Sequence, residues 1–374
     1  MPKAAFIYHK DLSRHVLRED HPMKPSRLQL TYELLESYGA FQHLNSLLVE
    51  PIPATVEELR LVHDEEYVAA VKSISLGETG FDADLYGFNP WGDNPPFRGM
   101  YEAAALSTGA SLVAAELLLA DRVNVAFSIS GGLHHAAKDH ASGFCVFNDP
   151  AIAIAYLVRK GLRVAYVDID AHHGDGVQQA FYDSDRVLTI SFHESGHYLF
   201  PGTGEVTESG TGAGVGYSVN LPLYPHTGDS VYLWAFEQIV PPLLDAFAPD
   251  LVVAQLGVDA HFLDPLAHLQ LTTAAYLAMV RRLLTAAPKL LALGGGGYDL
   301  GAVARVWTLE YGLMLGAEFS DTIPSSYRER YGHQRLRDAP LAPMDDDVLE
   351  QSQAVAQQGV DALREIVFPL HGLT

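Results

Sequence analysis

The chain has 374 residues, 48% of them hydrophobic, and carries 46 acidic against 24 basic side chains, a formal net charge of −22. That composition allows one large α/β core, and a surface of this sign repels phosphate backbones, so a nucleic-acid partner is not expected. The single cysteine, Cys145, rules out an internal disulfide framework and suits a reducing cytoplasm; the apolar run before His9 is too short for a signal-peptide core, and no stretch is expected to span a membrane.

In chain order, helical patterns and β-rich runs alternate. A helix is predicted over 101–121, a strand over 123–130, a helix over 149–161, and strands over 163–170 and 186–193. A helix follows at 230–247, a strand at 250–259, a helix at 272–287 and a strand at 289–297. A Pro-rich loop near 320–345 leads into a last helix, 346–366. Nearly all-apolar strands alternating with helices predict a mainly parallel sheet covered on both faces. The chain reads as one domain over 1–374, with 320–374 packed on it. Two long Gly/Pro-rich loops, 77–99 and 195–216, carry Phe88, Trp91, Phe97, Tyr198 and Phe200, and these aromatics predict ordered rims.

The chemistry gathers where apolar runs end. "RVAYVDIDAHHGDGV" (163–177) closes in Asp168, Asp170, His172, His173 and Asp175, with Gly174 and Gly176 to turn the chain. Alternation along a strand points Asp168, Asp170 and His172 roughly one way. "QLGVDAHF" delivers Asp259, "SISGGLHHAAKDHASGF" delivers His134 and His135, and "LALGGGGYDL" delivers Tyr298. In a parallel sheet the carboxyl ends of the strands share one edge, where ligands bind. Buried carboxylates there need a cation or hydrogen bonds. Asp170, His172 and Asp259 suit a divalent ion such as zinc, and three protein ligands leave a position open, the pattern of a catalytic site. Singly, each group has a plainer reading: a strand-end Asp caps helices, and glycines only permit close approach. Their occurrence at four strand ends favours a site.

Other matches carry less. "HESGH" (193–197) has the zinc-peptidase spacing, which works only on a helix; here it follows the strand-like "VLTISF" and contains Gly196. The glycine string 210–216 lacks the endings of a phosphate loop, and no GxSxG occurs. Cys145, between Phe144 and Val146, reads as a small buried hydrophobe.

Taken together, "HPMKPSR" (21–27), "GGLHHA", "ASGFCVFND", "DIDAHHGDGV", "FPGTG", "LGVDAH" and "LGGGGYDL" resemble the zinc-dependent histone deacetylases, nearest to the class I enzymes and the bacterial acetoin-utilisation branch. The order is kept from about residue 5 to 320, and the C-terminal segment carries little of it. The resemblance implies an arginase/deacetylase-like fold and a zinc ion on Asp170, His172 and Asp259, with iron as the alternative in the cell. It implies two dyads, His134 with Asp168 and His135 with Asp175, and Tyr298 facing the substrate carbonyl. Gly143, Phe144, Phe200 and Leu266 would line an acyl-lysine tunnel. Asp93 would sit at its rim, and Arg27 near an inner exit channel for acetate. Two potassium sites are implied: one on Asp168, Asp170, His172, Ser191 and Phe192, the other on Phe181, Ser184, Val187 and Tyr217. The arginase-like ureohydrolases share the fold with two manganese ions, but Gly174 stands where their last ligand would be, so one catalytic metal is expected.

The expected activity is hydrolysis of N6-acetyl-lysine in a protein or peptide to lysine and acetate. His135, oriented by Asp175, would move the protons; His134 would mainly stabilise charge; Tyr298 would donate to the oxyanion. The alternatives are hydrolysis of acetylpolyamines or other small acylated amines, and a non-catalytic acyl-lysine binder. The sequence leaves the oligomeric state open.

Overall fold

In a computed structural model that describes residues 4–13 and 16–374, the apolar runs form eight strands. They are β1 (Ala4–Ile7), β2 (Ser46–Val49), β3 (Val125–Ser128), β4 (Val164–Asp168), β5 (Val187–Glu194), β6 (Ser218–Leu223), β7 (Leu251–Gln255) and β8 (Leu290–Leu293). One sheet results, in the order β2-β1-β3-β8-β7-β4-β5-β6, with every pairing parallel. Parallel neighbours need crossovers, and helices supply them on both faces, so the strands are apolar on both sides. Val164, Tyr166, Leu251, Val253 and Leu291 share a core with helices Met100–Leu119 and Asp149–Arg159. Ala165, Val167, Val252 and Ala254 face the other way, toward Asp229–Phe247, Thr273–Ala286 and Leu300–Leu315.

All five predicted strands form; four are shorter than their runs, and β5 keeps its length, shifted by one residue. The strand predicted over 250–259 stops at Gln255, so Asp259 stands in the loop beyond it. Likewise β4 ends at Asp168, and Asp170 and His172 are loop residues that need not alternate as strand residues do. The sequence reading passed over β2 and β6 and took β1 only as a short apolar run. It also passed over helices Ser26–Ser37, Glu65–Leu76 and Leu300–Leu315. The last of these is buried nearly all round, so no polar face marks its period. The final helix, Asp346–Ile366, falls where predicted and packs on β6 and on Asp229–Phe247.

Two expectations need correction. Helix Met100–Leu119 is long and apolar enough to cross a membrane by length and composition, contrary to the reading that no stretch qualifies; most of it is buried inside the fold, as in a core helix. Phe88 is not a rim residue but fully buried, its ring stacked 6.5 Å from Tyr67. Trp91, three residues on, is 87% exposed.

One core residue is out of place chemically. Glu310 on helix Leu300–Leu315 is fully buried, and neither carboxyl oxygen has a hydrogen-bond partner among the described residues. Burial pushes its pKa well above the ordinary 4.5. The folded chain therefore keeps a proton that the unfolded chain releases, and stability falls as pH rises above about 4.5 toward the raised folded value. Glu310→Gln removes that dependence. Relative to the wild type, the variant should become progressively more stable as pH rises from about 4.5 to about 8 in urea unfolding. A constant difference across that range would contradict this reading.

The register prepares the site. Ser128, Leu293, Gln255, Asp168 and Ser191 form one row across β3, β8, β7, β4 and β5. For the first four strands that row is the carboxyl end. Four adjacent central strands thus release their loops side by side, at the edge where parallel sheets bind ligands.

Candidate active site

The loops after β4 and β7 bring Asp170, His172 and Asp259 together. His172 Nδ1 lies 3.1 Å from Asp170 Oδ1 and 3.0 Å from Asp259 Oδ2. One donor atom from each residue falls within 4.8 Å of the others, and all three residues are buried. The two carboxylates are held from behind. Asp170 Oδ2 accepts from Gln255 Nε2 and from the Gly296 N–H, both at 2.8 Å. Asp259 Oδ1 accepts the Ala171 N–H at 2.7 Å. Gly296 is required here: a Cβ would lie 2.0 Å from Asp259 Oδ2 and 2.9 Å from Asp170 Oδ2.

Electrostatics make the same trio fit a cation. Burial, with the like charge of Asp170 added, pushes Asp259 up to about 7. Both carboxylates hold His172 well above its usual range, against burial. Two buried carboxylates with one imidazole between them form a donor set that a divalent ion satisfies without any shared proton.

The loop after β3 supplies a linked histidine pair. His134 Nδ1 is 2.8 Å from Asp168 Oδ2, and its Nε2 is 3.0 Å from Nε2 of His135. His135 Nδ1 is 2.7 Å from Asp175 Oδ1. Burial lowers His134, but Asp168 and Asp170 outweigh it and push the group up to about 9. Burial, with His134 adding to it, pushes His135 down to about 4. The pair is therefore asymmetric: a neutral His135 gives its Nδ1 proton to Asp175 and keeps a lone pair on Nε2.

Tyr298 follows the glycine run, its backbone N–H donating to Asp264 Oδ2 at 2.8 Å. Its ring meets Phe144 edge-on at 5.8 Å and His172 edge-on at 6.5 Å. Phe200 lies edge-on to His135 at 5.0 Å. Gly143, at φ 50°, fits between them, since a Cβ would meet the His135 ring at 2.4 Å and the Phe200 ring at 2.9 Å. Leu266 is half-buried on the loop after β7, where its N–H donates to Asp264 Oδ1 at 2.9 Å. Arg27 is buried, donates from Nη1 to the Gly297 carbonyl at 3.1 Å, and stacks over Trp307. With Phe144, Leu133, Met100 and Ser130 it lines a cavity of about 110 Å³. Asp93 is exposed, and its carbonyl faces His21 Nε2 at 3.1 Å.

Among the residues read as potassium ligands, Asp168 is engaged on both oxygens: Oδ2 accepts from Tyr166 Oη at 2.7 Å, Oδ1 from the Asp170 N–H at 3.0 Å. Ser191 Oγ is 2.9 Å from His193 Nδ1, and the Phe192 carbonyl accepts from Tyr232 Oη at 3.3 Å. In the other group, the Phe181 carbonyl accepts the Ser184 N–H at 3.0 Å and the Tyr217 carbonyl the Thr189 N–H at 2.9 Å; Val187 opens β5 beside them.

The peptidase-like spacing has no helix beneath it: His193 and Glu194 end β5. Cys145 is buried, its thiol donating to the Gly143 carbonyl at 3.2 Å. Several supporting residues escaped the sequence reading. Gln255 is a lone amide in the apolar run "LVVAQL", which was a readable signal. Asp149 is fully buried and accepts from Gly132 and Leu133 N–H and from Ser111, fixing the loop that carries the histidines. Asn148 donates to the carbonyls of His134 and Ala136.

A fold of one all-parallel sheet with this constellation at its carboxyl edge defines a class, and comparison with known proteins agrees. The histone deacetylase domain profile matches residues 21–314. Acetoin utilization protein AcuC of Bacillus subtilis (strain 168) is 40% identical over 342 residues, 89% of this chain and 88% of that protein. Human histone deacetylase 1 is 36% identical over 365 residues, 97% of this chain and 75% of that protein. A crystal structure of an HDAC homolog complexed with SAHA matches with a TM-score of 0.86 at 32% identity, covering 95% of this chain and 100% of that one. The HDAC homolog from Aquifex aeolicus gives 0.84 at 32% identity, with the same coverage. The chain belongs to the histone deacetylase family. It is accordingly a hydrolytic, metal-dependent lysine deacetylase.

Proposed function

We propose that this protein hydrolyses N6-acetyl-lysine in proteins or peptides to lysine and acetate, using one divalent ion on Asp170, His172 and Asp259. The observation that carries the reading is the convergence of those three donors beside the His134–His135 pair and Tyr298. Zinc suits two carboxylate oxygens and one imidazole nitrogen, with iron the alternative. Such an ion supplies Lewis acidity toward an amide carbonyl and a nucleophile at neutral pH.

The chain's own residues do the rest. His135 is the proton carrier: the Asp175 bond fixes its tautomer, so the lone pair that takes a proton from water is on Nε2, 3.0 Å from His134 Nε2. It then returns a proton to the departing lysine amine. His134, charged against Asp168, stabilises negative charge as it develops. Tyr298 donates from Oη to the oxyanion, and burial keeps that phenol protonated. Gly143, Phe144, Phe200 and Leu266 wall an apolar passage that matches the lysine methylenes. Asp93 at the rim accepts from the substrate backbone, and Arg27 in the inner cavity receives acetate. Potassium belongs on Asp168, Asp170, His172, Ser191 and Phe192, and on Phe181, Ser184, Val187 and Tyr217. A cytoplasmic setting, with no nucleic-acid or membrane partner, completes the reading.

The test is a turnover screen of acetyl-, propionyl- and butyryl-lysine peptides and acetylpolyamines, with metal analysis on the same sample. Acetyl-lysine peptide should exceed acetylpolyamine in kcat/KM by about tenfold or more, since the missing rim contacts are lost binding energy. Preference for the polyamine, or metal-loaded protein without turnover, would overturn the proposal.

A further inference from the structure

Asp338 lies on the C-terminal segment beyond residues 21–314, where the family match ends. The segment nevertheless reaches the back of the site. Asp338 is half-buried, with only 6% of its side chain exposed, and is engaged on both oxygens. Oδ1 takes Arg305 Nη1 at 2.7 Å; Oδ2 takes His261 Nε2 and the Thr273 N–H, each at 2.9 Å. Its own N–H donates to Thr273 Oγ1 at 3.0 Å. His261 is fully buried, and its Nδ1 accepts the Leu263 N–H at 3.2 Å. An accepting Nδ1 places the ring proton on Nε2, where Asp338 receives it.

His261 is two residues past Asp259 and three before Asp264. Its N–H donates to the Val258 carbonyl at 3.1 Å, and its carbonyl accepts the Asp264 N–H at 2.8 Å. The ring therefore anchors the short segment that presents Asp259 to the metal-donor group and Asp264 to the Tyr298 backbone. We propose that Asp338 is a positioning residue for the deacetylase reaction, acting through His261 on Asp259 and, through the 261–264 turn, on Tyr298. The proposal rests on the metal-site reading above. An Asn cannot replace Asp338, because its amide would set a donor against either Arg305 or the His261 Nε2–H.

Asp338→Asn and His261→Gln are compared with Arg337→Ala in the full-length protein. Arg337→Ala loosens the same segment, by losing the bond from Nη1 to the Phe319 carbonyl, without touching His261. Zinc affinity by chelator competition should fall about tenfold in Asp338→Asn and His261→Gln, as when an outer partner of a metal ligand is lost. In both, kcat should fall about tenfold while KM moves less than threefold. Arg337→Ala should lower only the unfolding midpoint. Zinc affinity and kcat within about twofold of wild type in both test variants would overturn the proposal. So would the same zinc loss in Arg337→Ala. If Asp338→Asn does not fold, His261→Gln decides. If the wild type turns over no acyl-lysine, the deacetylase reading fails, while zinc affinity still decides the role of Asp338.

Discussion

Tyr298→Phe is expected to lower kcat on acetyl-lysine peptide by about 10²–10³-fold, the usual cost of removing one oxyanion donor. The argument is geometric. The Asp264 carboxylate holds the Tyr298 backbone, and Phe144 and His172 meet its ring edge-on, so the phenol has little freedom. The substitution keeps the ring and its contacts, so the unfolding midpoint should stay within a degree or two, and KM should change little because the lost bond strengthens only as charge develops. Full activity in Tyr298→Phe would remove the residue from the chemistry.

Asp259→Ala is expected to be at least as damaging, and for a different reason. It removes one of three protein donors, so affinity for the ion should fall by more than the roughly 10–100-fold that follows loss of an outer partner. It also frees the Ala171 N–H and leaves His172 facing Asp170 alone. Turnover should vanish at substoichiometric metal. Because the cluster of buried carboxylates is relieved of one charge, the metal-free variant should be no less stable than metal-free wild type.

Much of this site was legible because parallel topology converts sequence order into spatial order. Each apolar run that ends in a polar group becomes a strand whose loop emerges at one edge, and β3, β8, β7 and β4 are neighbours. Sequence periodicity could not show that adjacency; it follows from β7 and β8 inserting between β3 and β4. Nor could it show where strands stop: alternation suggested that Asp168, Asp170 and His172 share a face, yet β4 ends at Asp168, which turns to His134 while the other two turn to Asp259. Residues that act from behind left weaker marks. Asp149 and Asp264 look like ordinary cap and loop carboxylates until their backbone partners are seen. Asp338 sits in a Pro-rich loop whose composition says nothing of a buried triple contact. Short β2 and the nearly all-buried helix Leu300–Leu315 lacked any period to read.

The most direct measurement is metal content against turnover on the same preparations of wild type and Asp259→Ala. Metal-stripped wild type reconstituted with zinc should gain activity in proportion to occupancy and level off at one ion per chain, while Asp259→Ala neither retains the ion nor turns over. Undiminished turnover in metal-free protein, or activity that appears only as a second equivalent binds, would contradict the account.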